Sequence, residues 1–251
     1  MNDAVRDTGM RRVAVVTGAS RGLGAVVARL LARRGFDLVL SARLPSEELE
    51  AVAADARGAG SRVRVVTGDL VYERTREALV QASASFGGVD LLLNNASELG
   101  GIGPLAEVSL ERLERLWRVN VLAPLALTRV LLPLISLRRG VVVNVSSDAA
   151  QGAYAGWGGY GSTKAALELI SRTLATELID RGVSVLSVDP GDMRTRMHQE
   201  AFPGEDISDR PLPDITLPFF EWLVDHLGDA AAINGARFQA QAEDERWAVR
   251  V

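Results

Sequence analysis

Short apolar runs alternate with amphipathic stretches along most of the chain. Val13–Thr17 reads VAVVT, a β-branched run of the kind that suits a strand buried on both faces. Gly22–Arg34 then places Val26, Val27, Leu30 and Leu31 on one face of a helix. The alternation repeats, with strands expected at Asp37–Ser41, Arg62–Val66, Val89–Asn94, Gly140–Ser146 and Val183–Asp189. Between them the spacing predicts helices over Glu47–Arg57, Glu73–Phe86, Leu110–Leu134 and Tyr160–Arg181. Strands alternating with helices imply a parallel sheet with right-handed crossovers, covered on both faces. No linker-like shift in composition divides the chain, so one α/β domain over residues 1–251 is the economical reading.

The rhythm breaks after Gly191. From Asp192 to Pro218 the sequence is rich in Pro, Asp and Arg and has no sustained period. A stretch of that length inside a compact domain is expected to be a flexible lid or a binding loop. A short helix near Phe219–Leu227 and a last strand near Ala236–Gln239 follow.

Composition narrows the chemistry. The 251 residues include no cysteine, which removes disulfides, thiolate metal sites and cysteine nucleophiles. The two histidines, His198 and His226, are too few for a His-rich metal site, and no metal is expected. A net charge of −4 gives no footprint for nucleic acid. The start, Met1 to Arg12, is polar, and the apolar stretch Val119–Ile135 is interrupted by Pro124, Arg129 and Pro133. No membrane span is expected from it, and the expected location is cytoplasmic. Of the 28 Lys and Arg side chains, Lys164 is the single lysine. That singles it out for a task a guanidinium cannot do, because an ammonium is compact where a guanidinium is a wide planar fork.

Two motifs carry chemistry. Thr17-Gly18-Ala19-Ser20-Arg21-Gly22-Leu23-Gly24 sits between a predicted strand and a predicted helix. Glycines at 18, 22 and 24 make a tight turn whose backbone can approach a pyrophosphate at a helix N-terminus, which reads as nucleotide binding. Tyr160-Gly161-Ser162-Thr163-Lys164 puts a phenol and an ammonium four residues apart on one helix face. A neighbouring cation favours phenolate and is expected to lower the tyrosine pKa toward the range useful in acid–base chemistry. An ordinary surface pair has the same spacing, but neither Tyr72 nor Tyr154 has a lysine four residues on.

With these two motifs the chain resembles the classical short-chain dehydrogenase/reductase family, from about Arg12 to Thr195 and more weakly to Gln239. The resemblance implies a Rossmann-type, doubly wound parallel sheet of about seven strands. It implies that Ser147, thirteen residues before Tyr160, binds the substrate oxygen, with Ser146 beside it pointing the other way. Asn120 matches the asparagine that completes the catalytic tetrad by holding a water near the lysine; a buried side-chain cap is the other reading. Asn94-Asn95-Ala96-Ser97 resembles N-N-A-G with Ser97 in place of glycine, and Asn95 and Ala96 would line the adenosine side of the cofactor. Pro190, Gly191, Met193 and Thr195, in P-G-x-x-x-T, would hold the nicotinamide carboxamide, and Asp69 with Leu70 would contact adenine.

An NAD-preferring site has an acid at the end of the second strand, where this chain has Ala42 followed by Arg43. Arg43 and Arg21 suit a 2′-phosphate, so the expected cofactor is NADP(H). The implied reaction interconverts a ketone and a secondary alcohol, with Tyr160 as acid/base, Ser147 orienting the oxygen and Lys164 holding the ribose. Two alternatives share the fold: a non-catalytic dinucleotide sensor or scaffold, and a non-redox lyase or epimerase. Walls at Ser97–Pro104, Asp148–Gly159 and Met193–Leu217 contain Trp157, Met193, Met197 and Phe202, which suggests a largely apolar small-molecule substrate. Apolar residues on more than one face of Leu110–Leu134 and Lys164–Arg181 suggest a homodimer or homotetramer.

Overall fold

The computed structural model describes residues 11–241 and 247–249; the ends of the expected 1–251 span and residues 242–246 lie outside the described residues. Eight strands are found among the described residues: β1 (Val13–Thr17), β2 (Asp37–Ala42), β3 (Val63–Thr67), β4 (Leu91–Asn94), β5 (Val141–Val145), β6 (Ser184–Asp189), β7 (Arg237–Gln239) and β8 (Ala248–Val249). They form one sheet in the order β3-β2-β1-β4-β5-β6-β7-β8. The first seven run parallel, and β8 adds an antiparallel edge on β7 that the sequence pattern did not announce.

Strand alternation divides the core in two. Ala14, Val16, Leu38, Leu40, Leu91 and Leu93 face one layer, which holds α1 (Gly22–Arg33), α2 (Glu47–Gly58) and α8 (Leu217–His226). Val13, Val15, Val39, Leu92 and Val142 face the other, against α3 (Glu73–Ala84), α5 (Ala123–Arg138) and α6 (Gly158–Glu177). The strand order reverses at β1, which lies between β2 and β4, and the crevice at such a switch point is where open α/β sheets bind ligands.

Two expectations need correction. The predicted helix Leu110–Leu134 is α4 (Leu110–Trp117) and α5 joined by a π-helical turn over Arg118–Leu122. The wider turn carries Asn120 and Val121 into the interior, and such turns cluster at functional sites. By length and composition this 29-residue run could cross a membrane, but 44% of its most apolar window is buried inside the protein. The Asp192–Pro218 stretch is not structureless: it contains α7 (Arg196–Ala201) and a 3₁₀ turn, Pro213–Thr216, that leads into α8.

Beneath the C-terminal ends of the strands lies a buried ion cluster. Arg237 Nε on β7 donates to Glu168 Oε1 of α6 at 2.8 Å, and its terminal nitrogen pairs with Asp189 Oδ2 of β6 at 3.1 Å. Ser146 Oγ donates to the same Glu168 oxygen. Removing the cation alone leaves two buried carboxylates without their partner, so Arg237→Met is expected to cost about 3–5 kcal/mol in urea unfolding. Adding Glu168→Gln and Asp189→Asn should recover much of that loss. A single variant as stable as the parent would contradict the cluster's role in tying β7 to the sheet.

Candidate active site

The glycine loop opens directly onto α1. Gly18 has φ 65°, a left-handed conformation that side chains rarely adopt. A Cβ on Gly24 would lie 2.3 Å from the Gly18 carbonyl oxygen, so this contact admits no side chain. Asn95 fastens the turn: its Nδ2 donates to Thr17 O at 2.9 Å and Gly18 O at 3.2 Å. The Asn95 and Ala96 N–H groups both donate to Thr17 Oγ1, at 2.9 and 3.0 Å. Arg21, in extended backbone, precedes the helix; no side chain caps the first turn of α1 and no acid lies in it. Ser20 is half-buried in the turn, Leu23 is buried and Arg21 is exposed. An uncapped helix N-terminus behind a loop with glycine at 18, 22 and 24 fits a dinucleotide pyrophosphate.

The flanks of that crevice carry the other cofactor candidates. Arg43, at the end of β2, has a 60% exposed side chain and pairs with Glu98 Oε1 at 2.7 Å. Arg115 of α4 bridges Glu98, at 2.6 Å, and Asp69, at 2.7 Å. Burial works against ionisation of Asp69, but the Val71 N–H and Arg115 hold its carboxyl below the usual range. Leu70, beside it, is half-buried and gives its carbonyl to Arg76. The motif residues did not announce Glu98 and Arg115, whose charges meet only after folding. On the far side, the Gly191 N–H donates to Asp189 Oδ1 at 3.0 Å, Pro190 O accepts from Gln241, and Met193 is buried. Thr195 caps α7, its Oγ1 accepting from the His198 N–H at 3.2 Å; a Cβ on Gly22 would lie 3.5 Å from its methyl group.

Tyr160 and Lys164 lie one turn apart on α6. Gly161 lets this helix approach the turn after β5, because a Cβ there would sit 2.5 Å from Ala149 O. Lys164 is 3% exposed, donates from Nζ to Val145 O at 2.8 Å, and stands 5.5 Å from the centre of the Tyr160 ring. Ser147, half-buried just beyond β5, faces the Tyr160 hydroxyl, while Ser146 turns away to Glu168. The Ser147 hydroxyl donates to Asp148 Oδ1 at 3.0 Å and accepts from the Ala149 N–H. Asn120 reaches the same region from the π turn: its Nδ2 donates to Glu98 O at 2.8 Å and to Thr163 Oγ1 at 3.1 Å.

Electrostatics here run against one expectation. Burial pushes the Tyr160 phenol well above its ordinary range; the Ser97 and Ser147 hydroxyls pull it down, and Asp189 and Asp148 raise it further. Lys164 does not offset this, because burial also disfavours its own charge and lowers it to about 8, against the pull of Asp189 and Glu168. The cation expected to acidify the phenol is itself a marginal one.

A cavity of about 110 Å³ opens above these groups, lined by Tyr160, Ser147, Leu99, Trp157, Met197 and His198 among others. Each of the three expected segments contributes to its walls, and Ser146, Ser147, Tyr160 and the Asp189–Asp192 turn supply the rest. The His198 Nε2 atom is buried there without a hydrogen-bond partner.

The profile of the short chain dehydrogenases matches residues 12–206. The chain belongs to the short-chain dehydrogenase/reductase family. The uncharacterized oxidoreductase YciK of Escherichia coli (strain K12) is 32% identical over 235 residues, 92% of each chain. A short chain dehydrogenase from Salmonella enterica serovar Typhi superposes with TM-score 0.85 at 33% identity, covering 93% of this chain and 97% of that one. A short chain dehydrogenase from Escherichia coli CFT073, crystallised with NADPH, superposes with TM-score 0.84 at 32% identity, covering 93% and 98%. In this family member Ser97 takes the place of a motif glycine without backbone strain: among the described non-glycine residues only Arg139 has positive φ.

The buried pair makes stability depend on pH. Lys164, at about 8 when folded against 10.5 when free, binds its proton more tightly in the unfolded chain. Its burial therefore costs stability in full below about pH 8, and the cost fades as pH rises toward 10.5. The raised Tyr160 acts oppositely, removing stability above its ordinary value of 10. Urea unfolding should find Lys164→Met more stable than the parent near neutral pH, with the gap closing through the lysine window. A gap independent of pH would contradict burial of the ammonium.

Proposed function

We propose that the chain is an NADP(H)-dependent oxidoreductase that interconverts a ketone and a secondary alcohol, with Tyr160 as general acid/base. The observation that carries this reading is Lys164. The chain's single lysine is buried beside a buried tyrosine, and that tyrosine lines a cavity together with Ser147. A buried ammonium is costly unless it has a task, and perturbed titratable pairs in clefts mark functional sites.

The bound cofactor supplies or accepts the hydride. Ser147 donates to the substrate oxygen and holds it against the phenol. In reduction Tyr160 gives its proton to that oxygen; in oxidation the phenolate takes one. Lys164 holds the ribose hydroxyls, while Asn120 fixes the surrounding loop and supports a water on the proton path. Glycines 18, 22 and 24 accept the pyrophosphate. Asp69, Leu70, Asn95 and Ala96 border the adenosine, and the Pro190–Thr195 turn borders the nicotinamide.

Preference for NADP(H) is supported by Ala42 in the slot where an acid would bind the ribose 2′-hydroxyl, and by Arg43 and Arg21 beside it. Glu98 holds Arg43 until a 2′-phosphate replaces that contact. The NADP(H)-bound neighbours support the same choice. Leu99, Trp157, Met193 and Met197 favour a largely apolar substrate. The segment 192–218 acts as a lid, a reading supported by the packing of Met197 and Ala201 of α7, and of Phe202 just beyond it, against Trp157 and Tyr160. Exposed Leu110, Trp117, Leu122 and Leu137 near α4 and α5, with Leu169 on α6, support a homodimer or homotetramer.

Turnover of a carbonyl panel with NADPH and NADH tests the reading. Tyr160→Phe should bind NADPH as the parent does and lose at least ~10²-fold in turnover. Arg43→Asp should raise the KM for NADPH about tenfold or more, the effect of losing a charge-assisted phosphate contact, and improve use of NADH. An active Tyr160→Phe would overturn the acid/base assignment, and a parent enzyme that favours NADH would overturn the cofactor.

A further inference from the structure

Glu98, in the loop after β4, is held both by its backbone and by its side chain. Asn120 clamps the backbone: its Oδ1 accepts from the Glu98 N–H at 2.9 Å and its Nδ2 donates to the Glu98 carbonyl at 2.8 Å. The carboxylate lies between two guanidiniums. Oε1 accepts from Arg43 Nη1 at 2.7 Å and from Arg115 Nη2 at 2.6 Å, and Oε2 accepts from Arg115 Nε at 3.0 Å. Arg115 Nη2 also pairs with Asp69 Oδ2 at 2.7 Å. Arg43, Glu98, Arg115 and Asp69 thus form a chain of alternating charges whose signs cancel, beside the slot read above as the place of a ribose 2′-phosphate.

We propose that Glu98 is a specificity-determining residue for the cofactor: by competing for Arg43 it weakens NADPH selectively and narrows the preference over NADH. A 2′-phosphate has to take Arg43 from a carboxylate already bonded to it, and Asn120 keeps that carboxylate's backbone in place. NADH makes no such demand, because without a 2′-phosphate Arg43 stays on Glu98 and neither charge loses its partner. The inference rests on the reading that Arg43 receives the 2′-phosphate.

Arg115 makes the exchange feasible. It holds Glu98 through both carboxylate oxygens, so Glu98 keeps a two-pronged partner when Arg43 turns to the phosphate, and no anion is left unpaired. The competing contact is partly open to water, with the Arg43 side chain 60% exposed and that of Glu98 26% exposed. A pair of that kind is worth a few-fold in affinity rather than orders of magnitude. Glu98 therefore tunes the cofactor preference that Arg43 creates, and does not reverse it.

The test is a double-mutant cycle between Glu98→Gln and Arg43→Met, read as the Kd of NADPH and of NADH from nicotinamide fluorescence with no substrate present. In the parent background Glu98→Gln should tighten NADPH about threefold or more and leave NADH within about twofold. Arg43→Met should weaken NADPH about tenfold, and in that background Glu98→Gln should change NADPH less than about twofold, because the contact it relieves is gone. If Glu98→Gln does not fold, Glu98→Ala takes its place in the cycle with the same expectation. NADPH affinity unchanged by Glu98→Gln, or tightened equally with and without Arg43, would overturn the proposal; equal tightening would mean that the carboxylate acts by its general field and not through Arg43. If Arg43→Met weakens NADPH and Glu98→Gln does nothing, the competition fails and the cofactor reading stands. If Arg43→Met leaves NADPH affinity unchanged, both fail.

Discussion

The arrangement depends on one buried cation. Lys164 Nζ is withdrawn from water and donates to the carbonyl oxygen of Val145, the last residue of β5. That bond pins α6 to the sheet where the strand ends, and so places Tyr160 opposite Ser147, two residues past the end of β5. An ammonium in such a place is stabilised by few partners, since Asp189 and Glu168 act on it from a distance while burial lowers it to about 8. The result is a phenol and an ammonium whose charged forms are both disfavoured by burial.

Around that pair the polar groups are held by elements far apart in sequence. The π turn delivers Asn120 to the loop after β4, where its amide fixes Ser97 and Glu98. Asn95 ties the same loop to the glycine turn after β1. On the other side, Arg237 of β7 joins Glu168 and Asp189 and reaches the Ser147 carbonyl at 3.3 Å. The site thus draws on β1, β4, β5, β6, β7 and α6, so its precision is a property of the whole parallel sheet rather than of any one motif.

Much of this was legible in the sequence because parallel strands buried on both faces leave near-continuous apolar runs, as in VAVVT of β1, LLLN of β4 and VVVNV of β5. The glycine loop and the Tyr160–Lys164 spacing were legible for a similar reason: both are local patterns with local geometric consequences. What stayed hidden depends on tertiary contact. A helical period through Leu110–Leu134 gives no sign of the extra residue in the π turn, which exists because Asn120 has partners on a distant loop. The charge cluster at Arg237 joins residues up to 69 positions apart, and an arginine-rich chain masks a functional arginine among ordinary ones. Expecting Lys164 to acidify Tyr160 considered the charge without its desolvation. Strand β8, two residues long, falls below what periodicity can detect.

The central claim is that Lys164 acts as a compact buried ammonium and not as a generic positive charge. Measuring turnover and NADPH affinity for Lys164→Arg tests it most directly, because the variant keeps the charge and changes only its shape and solvation. A guanidinium cannot occupy the pocket beneath Tyr160, donate to Val145 O and reach a ribose at once. The account predicts a folded protein with turnover reduced at least ~10²-fold, the scale of lost acid–base catalysis, and weakened NADPH binding. Turnover and affinity both close to those of the parent would contradict it.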